Sequence, residues 1–347
     1  MYRSMRWYLT AVMCLGIMVS ADNGPAFGQE PEKGQEEAGV PDAADVAALG
    51  DSLSVVLHLL REKSIGLDVE AAKAAIEDAL IKSADPHAVI ISSDEAAGFS
   101  GATAALSESR DADMHIEMLA SGSVYVKPGG LFKETGTEVM RRLIEHSGDD
   151  VSSCILDLRE SGGEDLDSVC ELASLFLAGE QSLFFVSDCM DGKPRLFKSV
   201  RTGAAGHMTP VVVLIGSNTS GVSELLAGVL KGLPGVLVAG SSTRGDARLR
   251  ELVPLDSKRH VYIGTRLLVP VGHGSYDGRG VKPDIEVDPD CGSSDATESG
   301  EVEESSVILK NDLLLRRASD IVQGLKALGS DVVSVHREGP NEEETGH

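Results

Sequence analysis

The stretch from Pro210 to Gly240 constrains the fold more than any other part of the chain. It opens with the apolar run PVVVLI, turns through GSNTSG, continues as VSELLAGVL and closes with GVLVAG. Short β-branched runs bounded by Gly and polar turns predict buried strands, and the stretch between them has the apolar spacing of a helix. The same alternation surrounds it. SVYVKP (123–128) predicts a strand, Thr135–His146 a helix, and SSCILDLR (152–159) a strand that ends in the turn Glu160–Gly163. A helix with Leu166, Val169, Cys170, Ala173, Phe176 and Leu177 on one side follows. SLFFVSD (182–188) and PRLFKSV (194–200) predict a hairpin, and RELVPL (250–255) and HVYIGTRLLVP (260–270) predict further strands. Strands alternating with helices, with hairpins added, define an α/β core over residues 123–290.

The flanks read differently. MYRSMRWYLTAVMCLGIMVSA has the basic start, short apolar centre and small-residue exit of a secretory signal ending at residue 21, or at 28 on a second small-residue site. Export to a bacterial periplasm or cell surface is expected, with an uncleaved N-terminal membrane anchor as the alternative. Residues 22–43 are polar, acidic and rich in Pro and Gly, and read as a linker. Residues 44–98 form an N-terminal helical region. Val46, Leu49, Leu53, Val56, Leu57 and Leu60 share a helical spacing, and a second helix from about Val69 ends before Asp85-Pro86-His87. Residues 98–121 read mostly as loop, 291–306 as an acidic linker, 307–328 as a C-terminal helix and 329–347 as a frayed tail.

The formal net charge of -24 excludes a surface for nucleic acid, whose phosphates need basic patches. Cys154, Cys170, Cys189 and Cys291 are far apart and lack CxxC spacing, so neither a metal nor a cofactor is expected. Cys154 and Cys170 fall on apolar faces and read as buried small hydrophobes, while Cys189 and Cys291 fall in polar loops. Asp157 beside Arg159 reads as a structural ion pair, and His87 as a helix-end or surface residue.

Several segments together resemble the carboxyl-terminal processing, or tail-specific, serine peptidases. SADPH (83–87), LDLRESGG (156–163), GSNTSGVSELLAG (216–228), GSSTRGD (240–246) and GRGVKPDIEV (278–287) stand in the order and spacing of that family's motifs. The resemblance spans most of residues 45–328. It implies a crotonase-like (ClpP/crotonase-type) tail-specific-protease core with N-terminal helices and a C-terminal helix. It also implies that the backbone amides of Gly162, Gly163 and Val222 support an oxyanion or a bound peptide.

Two departures redirect the functional expectation. The span between Phe99 and Val124 is too short for the PDZ module that the family usually carries there. The family's nucleophilic serine, three residues before the helix glutamate, is Gly221 here, and its lysine base is Asp246. A serine attacks a carbonyl only when a base takes its proton, and a lysine can do so when burial lowers its pKa. Glycine offers no oxygen, and an acid in the lysine slot would repel a developing oxyanion. Ser220 and Ser223 are the nearest substitute hydroxyls. Ser223 should point away from the turn, and the nearby Arg244 and Arg248 are poor bases. A catalytically inactive peptidase homologue that binds peptide or a partner protein in the cell envelope is expected. The alternatives are an active serine endopeptidase using Ser220 or Ser223, and a structural envelope protein.

Overall fold

The computed structural model describes residues 41–63, 65–97, 114–119, 121–146, 153–177, 179–188, 193–200, 210–287 and 312–335. Cys189 and Cys291, the signal-like N-terminus and both acidic linkers lie outside them, apart from Pro41, Asp42 and Ala43 at the end of the first linker.

The chain divides into two units, Met1–Asp68 and Val69–His347. In the first unit, helix α1 (Ala43–Glu62) begins at Asp42. The Asp42 carboxylate accepts the amides of Ala44 (2.7 Å) and Asp45 (2.9 Å), and the Asp45 carboxylate accepts the amide of Asp42 (3.0 Å). This reciprocal pairing satisfies donors that a helix start leaves free. No residue of α1 is buried. By length and composition α1 is apolar enough to cross a membrane, with a mean hydropathy of 1.5.

The second unit starts with α2 (Val69–Ala84) and β1 (Val89–Ser92). Then come β2 (His115–Met118), β3 (Val124–Lys127), α3 (Thr135–His146), β4 (Cys154–Asp157) and α4 (Leu166–Ser174). The hairpin of β5 (Ser182–Asp188) and β6 (Pro194–Lys198) precedes β7 (Val211–Ile215), α5 (Val222–Leu230) and β8 (Val236–Gly240). The chain continues through β9 (Arg248–Pro254), β10 (Arg259–Pro270), β11 (Ile285–Glu286) and α6 (Leu313–Val335).

One sheet has the order β11-β8-β7-β4-β3-β2 and is parallel except where β2 meets β3. Its central strands β4, β7 and β8 are largely apolar on both faces because both faces are covered. Val124, Val126, Cys154, Leu156, Val211 and Val213 enter the large core with α3, α4 and α5. Their alternates Tyr125, Ile155, Val212 and Leu214 pack on Leu315, Ala318 and Val322 of α6. The second sheet, β1-β10-β5-β6 with β9 also on β10, is antiparallel.

The predicted strand–turn–helix units are present, and the two cysteines that are described, Cys154 and Cys170, are buried thiols. Three features differ from the sequence expectation. β2 lies within the stretch read as loop. It is an edge strand of mixed polarity (HIEM) whose order comes from pairing with β3, not from apolar alternation. β1 is four residues long and is held by β10. The described C-terminal helix runs from Leu313 to Val335, past the boundary expected at 328. A glycine followed by serine at 329–330 reads as a stop, but a single Gly costs a helix only about 1 kcal/mol.

Candidate active-site cleft

Three turns meet at the carboxyl ends of parallel strands β4, β7 and β8, where open α/β sheets commonly bind ligands. They are Leu158–Gly163, Gly216–Gly221 and Ser241–Asp246. Main-chain hydrogen bonds tie them together. The amide of Ser220 donates to the Ser161 carbonyl (3.0 Å) and the amide of Arg244 to the Thr219 carbonyl (3.1 Å). The Thr219 hydroxyl donates to the Leu158 carbonyl (2.8 Å).

Gly221 stands at the N-cap of α5 with φ 60° and ψ -130°. Residues with a Cβ are strained in that region. A Cβ built on Gly221 would lie 2.7 Å from the carbonyl oxygen of Gly163. The same carbonyl faces the amide of Val222 at 3.4 Å, a long contact for a hydrogen bond. The cleft therefore brings Gly163, Gly221 and Val222 together, and an acceptor oxygen points where a side chain would emerge. Gly163 itself has φ 133°, and a Cβ there would stand 2.1 Å from the Leu131 carbonyl oxygen. The Gly162 carbonyl is held by the Leu131 amide (2.7 Å) and the Ser223 hydroxyl (2.9 Å).

The two substitute serines differ. Ser223 is buried, and its Oγ is 2.9 Å from Ser161 Oγ while also donating to Gly162. It faces the β4 turn and touches no base. Ser220 is partly exposed, and its Oγ sits 2.9 Å from where a Cβ on Gly162 would lie.

Asp246 is the second departure in space as well as in sequence. Arg250, rather than Arg244 or Arg248, is its partner, and both Asp246 carboxylate oxygens accept from Arg250 Nη1 at 2.5 Å. Arg250 Nη2 reaches Asp85 at 3.1 Å. Arg248 instead pairs with Asp277 (2.7 Å), and Lys231 with Asp284 (3.2 Å) at the far end of α5. The slot is closed by a buried acid–guanidinium–acid triad that joins the turn after β8 to the corner after α2.

Burial alone would raise the Asp85 carboxyl. The bonds it accepts from Arg250 and from the amides of Gly264 and His87 outweigh that and hold its pKa below 3.8. A depressed folded pKa means stability that is present in full above 3.8 and lost as pH falls through the lower folded value. The urea midpoint should therefore fall between pH 5 and pH 3. The part of that fall due to this group should be missing in Asp85→Asn, compared by the same titration.

Glu224 links the cleft to the triad. Buried in α5, its carboxylate accepts from the Thr243 hydroxyl (2.5 Å) and the amides of Gly245 (2.7 Å), Asp246 (2.8 Å) and Gly221 (3.2 Å). Burial pushes its pKa up, with the charge of Asp246 adding to the rise and the donated bonds opposing it. Tyr276 Oη is buried beside these acids without a hydrogen-bond partner. Burial, and then the charges of Glu224, Asp246 and Asp277, hold the phenol well above its ordinary value, so it stays protonated and cannot serve as a base. Asp157 makes the expected ion pair with Arg159 (2.6 Å) and accepts from Tyr125 Oη (2.8 Å). Among the described residues, no cluster of His, Cys, Asp and Glu could hold a metal ion.

Residues 125–287, which carry β3 to β11 and all three turns, match the family model Peptidase family S41. Over that stretch the chain resembles the family, and the relatives it is similar to include proteins named as carboxyl-terminal processing peptidases. It is 25% identical over 162 residues to a chloroplastic carboxyl-terminal-processing peptidase 3 of Arabidopsis thaliana, covering 47% of this chain and 31% of that protein. It is 28% identical over 167 residues to the chloroplastic C-terminal processing peptidase of Tetradesmus obliquus, covering 48% and 35%. It is 23% identical over 164 residues to the carboxy-terminal processing protease CtpB of Bacillus subtilis, covering 47% and 33%. The match thus takes in about a third of the length of each of these relatives. Among solved structures, it is similar to the photosystem II D1 C-terminal processing protease (TM-score 0.43, 24% identity, covering 50% and 47%). It is also similar to a putative S41 protease from Bacteroides fragilis (TM-score 0.49, 18% identity, covering 61% and 57%).

Proposed function

We propose that this S41 core is catalytically silent and binds a peptide, or a segment of a partner protein, in the cleft around Val222. The observation that carries this reading is the pair of occupied slots. Gly221 faces the Gly163 carbonyl, and Asp246 is locked to Arg250. Neither a hydroxyl nor a free base stands where acyl transfer needs them. At the start of α5 the Val222 amide makes only the long 3.4 Å contact to the Gly163 carbonyl, which a bound carbonyl or carboxylate can replace without a side chain. The short span between Phe99 and Val124 supports a ligand held by this core alone, without a PDZ module. Export to the cell envelope completes the proposal, supported by the basic and apolar N-terminal sequence and by a bacterial relative named as a carboxy-terminal processing protease.

The purified chain should neither cleave a casein-derived peptide mixture nor react with a fluorophosphonate probe. Labelling that disappears in Ser220→Ala or Ser223→Ala would overturn the reading. The double change Gly221→Ser with Asp246→Lys should give weak cleavage at best. Gly221→Ser alone should lower stability by about 1–3 kcal/mol for a side chain at strained φ/ψ, and Asp246→Lys should add a larger loss by setting a second cation against the buried Arg250, both read from urea unfolding.

A further inference from the structure

A cavity of about 330 Å³ opens beside the cleft, between residues 164–167 and strands β6, β9 and β10. Its charged lining is Glu164, Asp165, Asp167, Arg195, Arg250 and Arg266. We propose that the arginines of this cavity bind a carboxylate carried by the peptide that occupies the cleft. The proposal deepens the peptide-binding reading and rests on it.

The first support is where the arginines stand. Arg195 is opposite Val186, and Val186 is opposite Leu268, so all three share one face of the antiparallel sheet. Arg266 is two residues from Leu268 and shares that face too. Val186 and Leu268 are core residues. The sheet's inner face thus ends in guanidinium groups where its pattern calls for apolar side chains. The Arg195 guanidinium lies 4.7 Å over the Phe197 ring, which holds it in place.

The second support is an unpaired donor. The Arg250 side chain is only 8% exposed, and its Nε–H is buried without an acceptor. Such a donor is met by an oxygen acceptor, either a water or a ligand group. Because the orphan is a donor, the partner is an oxygen acceptor and not an ammonium group.

The opposite charges of the cavity do not satisfy one another. Among the described residues, neither Arg195 nor Arg266 forms an ion pair with Glu164 or Asp167. The acids have a separate explanation. Asp165 caps α4 by accepting the Ser168 amide at 2.9 Å, and acids beside a helix start are favoured by the helix dipole. Arg250 is shared between Asp246 and Asp85, whereas the exposed Arg195 and Arg266 present planar forks that suit a carboxylate.

The carboxylate could belong to a chain terminus or to an acidic side chain, and fluorescence anisotropy separates the two. The probes are fluorescein-labelled pentapeptides: Ala-Val-Ala-Leu-Ala with a free carboxyl end, the same peptide amidated, and amidated Ala-Val-Ala-Asp-Ala. The full chain should bind the first or the third roughly tenfold more tightly than the second, as expected for a charged hydrogen-bonded pair. A preference for the first assigns a terminus, and for the third a side chain. The preference should vanish in Arg195→Ala with Arg266→Ala. Both residues are exposed, and an unchanged circular dichroism spectrum would show that the variant folds. Equal binding of all three peptides, or a preference that survives the double change, overturns the carboxylate inference while leaving peptide binding intact. No binding of any probe overturns both readings.

Discussion

Replacing Arg250 with alanine should destabilise the fold by about 3–5 kcal/mol, the cost of stranding buried charge. The guanidinium sits between Asp85 and Asp246, and all three side chains are largely shielded from water. Without it, two carboxylates face each other across a site with no compensating cation. The effect should appear as a lower urea midpoint with an unchanged slope, which marks a change in stability rather than in compactness. A control separates stranded charge from lost packing. Arg250→Met combined with Asp85→Asn and Asp246→Asn removes all three charges while leaving an acceptor for the Gly264 and His87 amides, and should recover part of the loss, because whole buried ion clusters can often be exchanged for neutral groups at little cost. If Arg250→Ala alone unfolds at the midpoint of the unaltered chain, the triad is not holding the slot closed.

The second large effect is expected at Glu224. Glu224→Ala removes the acceptor for the Thr243 hydroxyl and for the amides of Gly245, Asp246 and Gly221. Each buried donor left without a partner costs about 1–3 kcal/mol, so a loss of at least about 3 kcal/mol follows. The change should also be local. Amide hydrogen exchange at Gly245 and Asp246 should rise by more than exchange in β7, because the turn after β8 loses its anchor while the central strand keeps its ladder. Glu224→Gln should fall between the two, since its carbonyl oxygen can serve some of these donors while its NH2 group faces the others. Uniform exchange across the sheet in Glu224→Ala would mean that the residue supports the core at large and not this turn.

Much of this arrangement was legible in the sequence. The parallel strands announced themselves because a sheet covered on both faces needs unbroken apolar runs, as in Val211–Ile215. The turns were legible because glycines and small polar residues punctuate those runs. Gly221 and Asp246 could be placed through the resemblance, Gly221 three residues before the helix glutamate Glu224 and Asp246 at the end of GSSTRGD. The partner of Asp246 could not be placed in this way. Arg244 and Arg248 are nearer along the chain than Arg250, but Arg248 and Arg250 share one face of β9, so alternation does not choose between them; Arg248 is taken by Asp277, and Asp85 arrives from another element altogether. The orientation of the Gly163 carbonyl was equally hidden. It depends on the rotation of one peptide plane, and a residue without a side chain leaves no pattern to read. β2 escaped notice because an edge strand takes its order from hydrogen bonds to its neighbour.

The conformation of Gly221 has a consequence for how such a site can change over generations. At φ 60° and ψ -130°, facing a carbonyl at 2.7 Å, the position rewards the absence of a side chain. A serine arriving there alone meets both backbone strain and a collision, with no proton acceptor to make it useful. Chemistry could arise only if the Gly163 peptide turned over and the Asp246–Arg250 pair gave way at the same time. On the reading proposed above, each single change therefore costs stability and yields no nucleophile–base pair.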